Sequence, residues 1–415
     1  MKALVFDVNV EEIMHLIQDA HQDKEAYLGE HSPLSMQEIP EARVQFPDWL
    51  VIKTHLTGIC GSDYKQVFID FENIDSPMAA CATFPQVMGH EVVGTISAVG
   101  PAVTNRRVGE RVVLNPWLSC APRGIAPICP MCREGQFSLC ENFRKGRLAA
   151  GIHTGTCRDA SGGYAPALPA HESMAIPVPD DISDEQAVLA DPFSVSLHSV
   201  LRYPPRPGDL VVVYGCGTLG LCAIEILHKL FDVRIIGITR FAHQAKLARQ
   251  LGAEETIEWR PVEQIVARLA ALTGAELYSP SEGAPGVPML YGRPGVRVVY
   301  NTVGTAESLE IAVRIAGPRS TVVMSGVDTP ARFEWSPHYF KEINLVGSNA
   351  FGVEEWNGVA QHAMQHYFDL IRSKQIDVTP ILTHRFSLDD YKEAFRTTHN
   401  QGETGAVKVL FEFPR

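Results

Sequence analysis

The 415-residue sequence has no basic excess: 36 Lys and Arg stand against 48 Asp and Glu, for a formal net charge of −12. A phosphate-tracking surface is therefore not expected, and nucleic acid is excluded as a partner. A long uninterrupted apolar run is also lacking. The most apolar window, Leu210 to Leu227, contains Thr218, Glu225 and three glycines, and reads as strand, turn and helix rather than a membrane span. The opening residues, Met1 to Asp7, read as a strand and have no basic region ahead of an apolar core, so no secretory leader and a cytoplasmic location are expected. The nine cysteines are odd in number and unevenly placed, which makes a poor disulfide framework. What is present is an ordinary globular composition, 45% apolar and 20% charged, in a chain long enough for two or three domains.

Chemistry concentrates first between Gly58 and Gly94. Gly58-Ile59-Cys60-Gly61-Ser62-Asp63 opens the stretch, and Gly89-His90-Glu91 lies near its end. Thiolate, imidazole and carboxylate are the donors a borderline-soft cation such as zinc prefers. A second concentration follows, with Cys120, Cys129, Cys132 and Cys140 inside the lobe 115–147. Four cysteines, one pair at C-x-x-C spacing, predict a closed tetrahedral zinc site that helps fold the lobe. Cys81, Cys157, Cys216 and Cys222 have no such partners and read as small packed residues.

Element signals are plain in places. Val10, Ile13, Met14 and Ile17 fall at helical spacing. Trp49 to Leu56 reads as a strand. Ser183-Asp184-Glu185-Gln186 is a capping box, and the helix it starts is expected to break at Asp191-Pro192. Asp209 to Tyr214 is a buried-strand pattern followed at once by Gly215-Cys216-Gly217-Thr218-Leu219-Gly220 and an apolar helix. A G-x-G-x-x-G turn between strand and helix predicts a dinucleotide site at Gly215, Gly217, Thr218, Leu219 and Gly220. Tyr278 to Pro294 reads as a surface loop, and Trp356 to Ser373 as one long helix.

These motifs, in this order, resemble the zinc-dependent medium-chain dehydrogenase/reductase superfamily of alcohol, polyol and threonine dehydrogenases. The resemblance implies an α/β chain: a GroES-like β-rich catalytic domain over 1–190, a Rossmann doubly wound parallel-sheet domain over 191–345, and a return to the first domain over 346–415. It implies Cys60 and His90 as catalytic zinc ligands with Asp191 in the third place, where polyol and threonine dehydrogenases usually carry Glu. Glu91 is left two roles, resting-state ligand or supporting carboxylate. Ser62 matches the hydroxyl that takes the alcohol proton, and Asp63 a group that orients a ligand. The chain departs from the pattern at Lys65, where several relatives place a relay histidine, and in the eight residues between Cys120 and Cys129, where two are usual.

At the end of the second nucleotide-domain strand, Thr239 and Arg240 replace the acidic residue typical of NAD enzymes, so NADP is favoured over NAD. The expected reaction is reversible hydride transfer between a small alcohol or polyol, secondary in type, and NADP(H), with one catalytic and one structural zinc in a homodimer or homotetramer. The alternatives are an NADPH-dependent aldehyde or ketone reductase, and a zinc and nicotinamide lyase or epimerase without net redox.

Overall fold

The computed structural model describes residues 1–9, 16, 24–70, 80–281, 286–292, 295–326 and 333–414. The helix expected over Val10, Ile13, Met14 and Ile17 falls outside the described residues but for Leu16. The chain divides into two compact units. The first comprises Met1–Asp191, Glu355–Arg372 and Leu382–Arg415; the second comprises Pro192–Glu354 and Ser373–Ile381. The C-terminal third therefore contributes to both units, with 346–354 and Ser373–Ile381 belonging to the second.

The spine of the first unit is the strand Trp49–Gly58, rich in apolar and β-branched residues and buried over most of its length. It pairs antiparallel with Glu91–Val99, with Ala167–His171 and with Lys408–Glu412. Register then assembles the chemistry. Gly58 lies opposite Glu91 on one side and opposite Leu410 on the other. Alternation along a strand puts Lys408 on the same face as Leu410. Residues 58, 91 and 408 thus converge from three distant parts of the chain. Arg111–Leu114 and Ala175–Pro177 extend the sheet on one side, and Leu382–Ser387 closes the other. One apolar core, including Trp49, Ile52, Ile96 and Leu168, packs this sheet, and a second gathers Leu4, Phe68, Tyr164, Phe395 and Phe411.

The second unit holds a parallel sheet in the order Glu255–Glu258, Arg234–Thr239, Leu210–Tyr214, Val296–Asn301, Ala316–Met324 and Asn344–Gly347. Numbered along the chain, that is 3-2-1-4-5-6, the Rossmann order, whose strand order reverses between the first and fourth strands where dinucleotides bind. The sheet reads in sequence as near-continuous Val and Ile runs because both faces are covered. Among the described residues no helix is long and apolar enough to cross a membrane.

Three local expectations change. The capping box forms, with Ser183 Oγ accepting from Gln186 N and Gln186 Oε1 from Ser183 N, but its helix, Asp184–Ala187, is a single turn. Asp191-Pro192 does not break that helix; it opens the next, Ala190–Arg202. Proline is tolerated there because first-turn N–H groups have no intrahelical partner. The loop expected over Tyr278 to Pro294 contains a small antiparallel pair, Glu276–Tyr278 with Met289–Tyr291, in which Tyr278 stacks on Tyr291 at 4.7 Å. The long helix expected over Trp356 to Ser373 is a hairpin, Val353–Trp356 and Val359–His362, followed by the helix Ala363–Arg372. Its tip is Asn357-Gly358 with φ of 50° and 77°, the pair of left-handed conformations that two-residue hairpin turns require.

Candidate active site and metal centres

The strand Trp49–Gly58 delivers the chain to Cys60, which sits at the N-terminus of the helix Gly61–Val67. Ser62 is exposed in the first turn of that helix, and Asp63 points inward and is buried. Asp63 Oδ2 accepts from Cys60 N at 2.9 Å and from the Tyr164 hydroxyl at 2.8 Å. Its other oxygen lies 3.6 Å from His90 Nδ1. Asp63 is thereby fixed on one side and faces the imidazole with the other, so that Nε2 of His90 is left for another partner.

Donor atoms of Cys60, His90 and Glu91 all lie within 4.8 Å of one another. Glu91 can stand there only because residue 58 is glycine: a Cβ at Gly58 would meet Glu91 Oε2 at 1.9 Å. Both Glu91 oxygens also accept from Lys408 Nζ, at 2.8 and 2.6 Å, and Lys408 gives a further hydrogen bond of 3.0 Å to the carbonyl of Ile59. Burial opposes charge on Lys408, but Glu91, with Cys60 and Asp191 adding to it, raises the ammonium pKa on balance. Asp191 does not join the cluster of mutually close donors. It is buried nearby, its Oδ2 has no hydrogen-bond partner among the described residues, and burial pushes its carboxyl up to about 7, with Glu91 and Asp63 adding to the rise and His90 and Lys408 opposing it. Burial likewise opposes charge on His90, yet Asp63 and Cys60 hold its pKa well above the ordinary value.

The electrostatics test whether a cation suits this place. Three buried carboxylates, Asp63, Glu91 and Asp191, and the Cys60 thiol share it with one lysine and one imidazole. Buried anions in excess of cations are costly, and a dication would restore balance. The donor types and the unpartnered Asp191 oxygen therefore fit zinc.

Around His90 the wall is made by two segments bridged to each other at Trp117 and His153. The His153 ring lies 4.6 Å from that of His90 and edge-on to Trp117 at 5.8 Å. Its Nδ1 lies 2.7 Å from the carbonyl of Thr154, and burial, with His90 adding, pushes its pKa down to about 3. Lys408, Tyr164 and His153 were not evident as site residues from sequence. A lone lysine amid the closing apolar run Val407 to Phe411 was the available signal for the first, since a charge in a buried strand needs a partner.

The second cluster forms as expected: the sulfurs of Cys120, Cys129, Cys132 and Cys140 lie within 4.8 Å of one another. Cys120 Sγ receives Cys129 N at 3.4 Å and Asn142 Nδ2 at 3.2 Å, and Cys140 Sγ receives Asn142 N at 3.4 Å. N–H donors aimed at sulfur suit thiolates around a metal. The extra residues between Cys120 and Cys129 have a purpose that sequence did not suggest. They carry Arg123, fully buried, which donates to the carbonyls of Leu118, Lys145, Leu148, Ala149 and Gly151.

In the second unit the glycine turn follows the strand Leu210–Tyr214, and Gly217 precedes the helix Thr218–Leu230. A Cβ at Gly220 would lie 1.8 Å from the carbonyl oxygen of Gly215, whereas one at Gly217 would meet open space. That is the division of labour a dinucleotide turn needs, close packing at the third glycine and an approachable backbone at the second, with the positive end of the helix beyond it. Thr218 and Leu219 form the first turn of that helix. Thr239 is buried and its hydroxyl has no hydrogen-bond partner among the described residues, while Arg240 is exposed with its guanidinium 5.4 Å from the Phe241 ring.

The sheet order, the glycine turn and the two donor clusters define a zinc-binding dehydrogenase, and sequence comparison agrees. Residues 46–180 match the alcohol dehydrogenase GroES-like domain and residues 218–365 the zinc-binding dehydrogenase domain. With both domains present in this order, the chain belongs to the medium-chain zinc-binding dehydrogenases, oxidoreductases acting on CH–OH groups. It is 29% identical to an L-threonine 3-dehydrogenase of Rhizobium etli (strain CIAT 652), covering 90% of this chain and 94% of that one. It is 26% identical to an L-idonate 5-dehydrogenase of Vitis vinifera, covering 87% of each. Among solved structures, the alcohol dehydrogenase of Thermus sp. ATN1 superposes with a TM-score of 0.70 at 26% identity over 99% of both chains. A zinc-binding dehydrogenase from Sinorhizobium meliloti 1021, bound to NADP, gives 0.68 at 25% identity over 92% of this chain and 95% of that one.

Proposed function

We propose that the protein oxidises a small secondary alcohol or polyol reversibly with NADP, using a zinc ion held by Cys60, His90 and Asp191. The observation that carries this reading is the convergence of Cys60 with buried His90 and Glu91, beside the buried and unpartnered Asp191 oxygen. Zinc, when bound, supplies Lewis acidity to the substrate oxygen, and the nicotinamide supplies the redox step. The protein's own residues do the rest. Asp63 Oδ1, 3.6 Å from His90 Nδ1, stands where a carboxylate would orient the ring. Lys408 engages both oxygens of Glu91, which gives Glu91 the supporting role and leaves the third ligand place to Asp191. Ser62, exposed at the helix start, takes the proton leaving the alcohol hydroxyl and passes it outward, in a chain that has Lys65 rather than a histidine one turn on.

The cofactor preference rests on Arg240. Thr239 is enclosed, so the guanidinium is the group available to a 2′-phosphate. The same reading includes a homo-oligomer. The edge strand Asn344–Gly347 ends the parallel sheet, and Trp335, Tyr339 and Phe340 beside it are more than half exposed. An open strand edge flanked by aromatics suits pairing with a second copy.

Metal analysis should find two zinc ions per chain, and Cys60→Ser should retain one and lose alcohol-dependent NADPH formation. A Cys60→Ser protein with undiminished turnover would refute the catalytic role. In Arg240→Ile the ratio of kcat/KM for NADP over NAD should fall by an order of magnitude or so, the size of a lost charge-assisted contact.

A further inference from the structure

The cysteine lobe and the wall beside His90 share one guanidinium. Two segments join lobe to wall, one through Leu118 to Trp117 and one through 145–152 to His153, and Trp117 and His153 bridge each other. Arg123 ties the two segments together ahead of that bridge. Its Nε donates to the Leu118 carbonyl at 2.8 Å, on the first segment. On the second, Nη1 donates to the carbonyls of Lys145 and Leu148 at 2.8 and 3.1 Å, and Nη2 to those of Ala149 and Gly151 at 3.0 and 2.7 Å. The planar fork thus spends all its N–H groups on this one junction. Leu118 N then donates to the Ile152 carbonyl at 3.0 Å, and Thr154 N to the Pro116 carbonyl at 2.9 Å. These bonds carry the pairing outward to Trp117 and to the His153 ring, 4.6 Å from that of His90.

Arg123 is placed, in turn, by the lobe. Its N–H donates to the Ser119 carbonyl at 3.3 Å, and Ile125 N donates to the Cys120 carbonyl at 3.0 Å, so the arginine rides on a turn built around Cys120. Its charge also looks to the lobe. The side chain is fully buried, its five acceptors are neutral carbonyls, and it makes no ion pair among the described residues. Burial lowers its pKa, opposed by the Cys157, Cys140 and Cys81 sulfurs and by Asp159. Asp159 is engaged by Ala149 N at 2.6 Å, and burial pushes the Cys157 thiol up, away from ionisation. Cys140 belongs to the four-sulfur cluster. Four thiolates around one dication leave a net negative charge, which is what a buried guanidinium among neutral groups needs nearby.

We propose that Arg123 is a positioning residue through which the metal-loaded cysteine lobe sets the active-site wall: the loaded lobe fixes the guanidinium, and its fork holds Trp117 and His153 in register beside His90. The inference goes beyond the alcohol oxidation proposed above and takes from it only the place of reaction, beside His90.

The test needs no turnover. Cys60→Ser removes a donor of the catalytic zinc, so the zinc that this protein retains is the lobe's. Its tryptophans are replaced by 5-fluorotryptophan, and the Trp117 fluorine resonance is assigned by its loss in Trp117→Phe. Trp259 and Trp335, in the other unit, serve as standards. Chelating the zinc should shift and broaden the Trp117 resonance and leave the standards in place. Arg123→Lys, added to Cys60→Ser, keeps the charge and loses the fork. It should retain the lobe zinc and yet show a shifted Trp117 resonance, which chelation then moves no further. An arginine that only added stability would give two independent effects that sum.

A Trp117 resonance unmoved by chelation, or unmoved in zinc-loaded Arg123→Lys, overturns the inference, and so do shifts that add. Should Arg123→Lys fail to fold, amide exchange in the protein that keeps Arg123 decides. Chelation should quicken exchange at Leu118 and Thr154 while the strand Glu91–Val99 stays protected, and unchanged exchange at those two amides overturns the inference. A Cys60→Ser protein that retains both zinc ions counts against the catalytic zinc and not against Arg123, whose lysine variant still reads on Trp117. One that retains none removes the lobe metal and the inference with it.

Discussion

Lys408 is an ammonium enclosed by protein, and its place is set by one carboxylate, Glu91, and one carbonyl, Ile59. Removing one partner of such a pair leaves an uncompensated buried charge, which costs about 3–5 kcal/mol. Lys408→Met should therefore lower the unfolding midpoint of the enzyme sharply in a denaturant titration. Adding Glu91→Gln should recover much of the loss, because the stranded carboxylate is what costs. A single variant as stable as the wild type would mean that something else balances Glu91. At this scale the sequence was informative where chemistry is local and poor where it is distant. Cys60, Ser62 and Asp63, or His90 and Glu91, stand side by side and were readable from donor type. Lys408 reaches Glu91 through strand register, and His153 reaches His90 through a loop bridge to Trp117; neither link has a spacing in the chain.

Elements with plain apolar runs formed where sequence placed them: the strands Trp49–Gly58 and Leu210–Tyr214, and the helix Thr218–Leu230 after the glycine turn. The short hairpin strands did not announce themselves. Val353–Trp356 and Val359–His362 are too brief for alternation to stand out, and the helical run from Ala363 onward drew the boundary backward. Asn357-Gly358 was the signal to weigh, a dipeptide whose preference for left-handed backbone outranks weak helical propensity. Gly358→Ala should accordingly cost about 1–2 kcal/mol, the penalty of a side chain in that conformation. The loss should be localised: amide exchange should quicken over 353–362 while the parallel sheet stays protected. Uniformly faster exchange would show that the turn serves more than its own hairpin. The break expected at Asp191-Pro192 erred for a related reason, since proline inside a helical pattern and proline opening a helix look alike until the preceding turn is seen to stop.

For the molecule as a whole, the Rossmann domain was legible from its strand, glycine turn and apolar helix together with the resemblance those motifs carry, and the strand order came from the structure. The proposed assembly is testable at the same scale. Tyr339→Ser with Phe340→Ser should convert the enzyme to a smaller species by sedimentation, without loss of zinc; an unaltered species would place the contact elsewhere. One more consequence concerns time. Glu91 and Lys408 are 317 positions apart. At the ~5–20 residues per second of synthesis, on the order of tens of seconds separate the making of the carboxylate from that of its ammonium. In that interval a nascent chain already carries Cys60, His90 and Glu91, and the ribosome is producing the entire 192–354 segment of the other unit. A chain that stops at residue 407 carries Cys60, His90 and Glu91 but lacks the ammonium that accompanies Glu91 in its buried place. The pairing of Glu91 with Lys408 is thus among the late events of synthesis, although its carboxylate is made early.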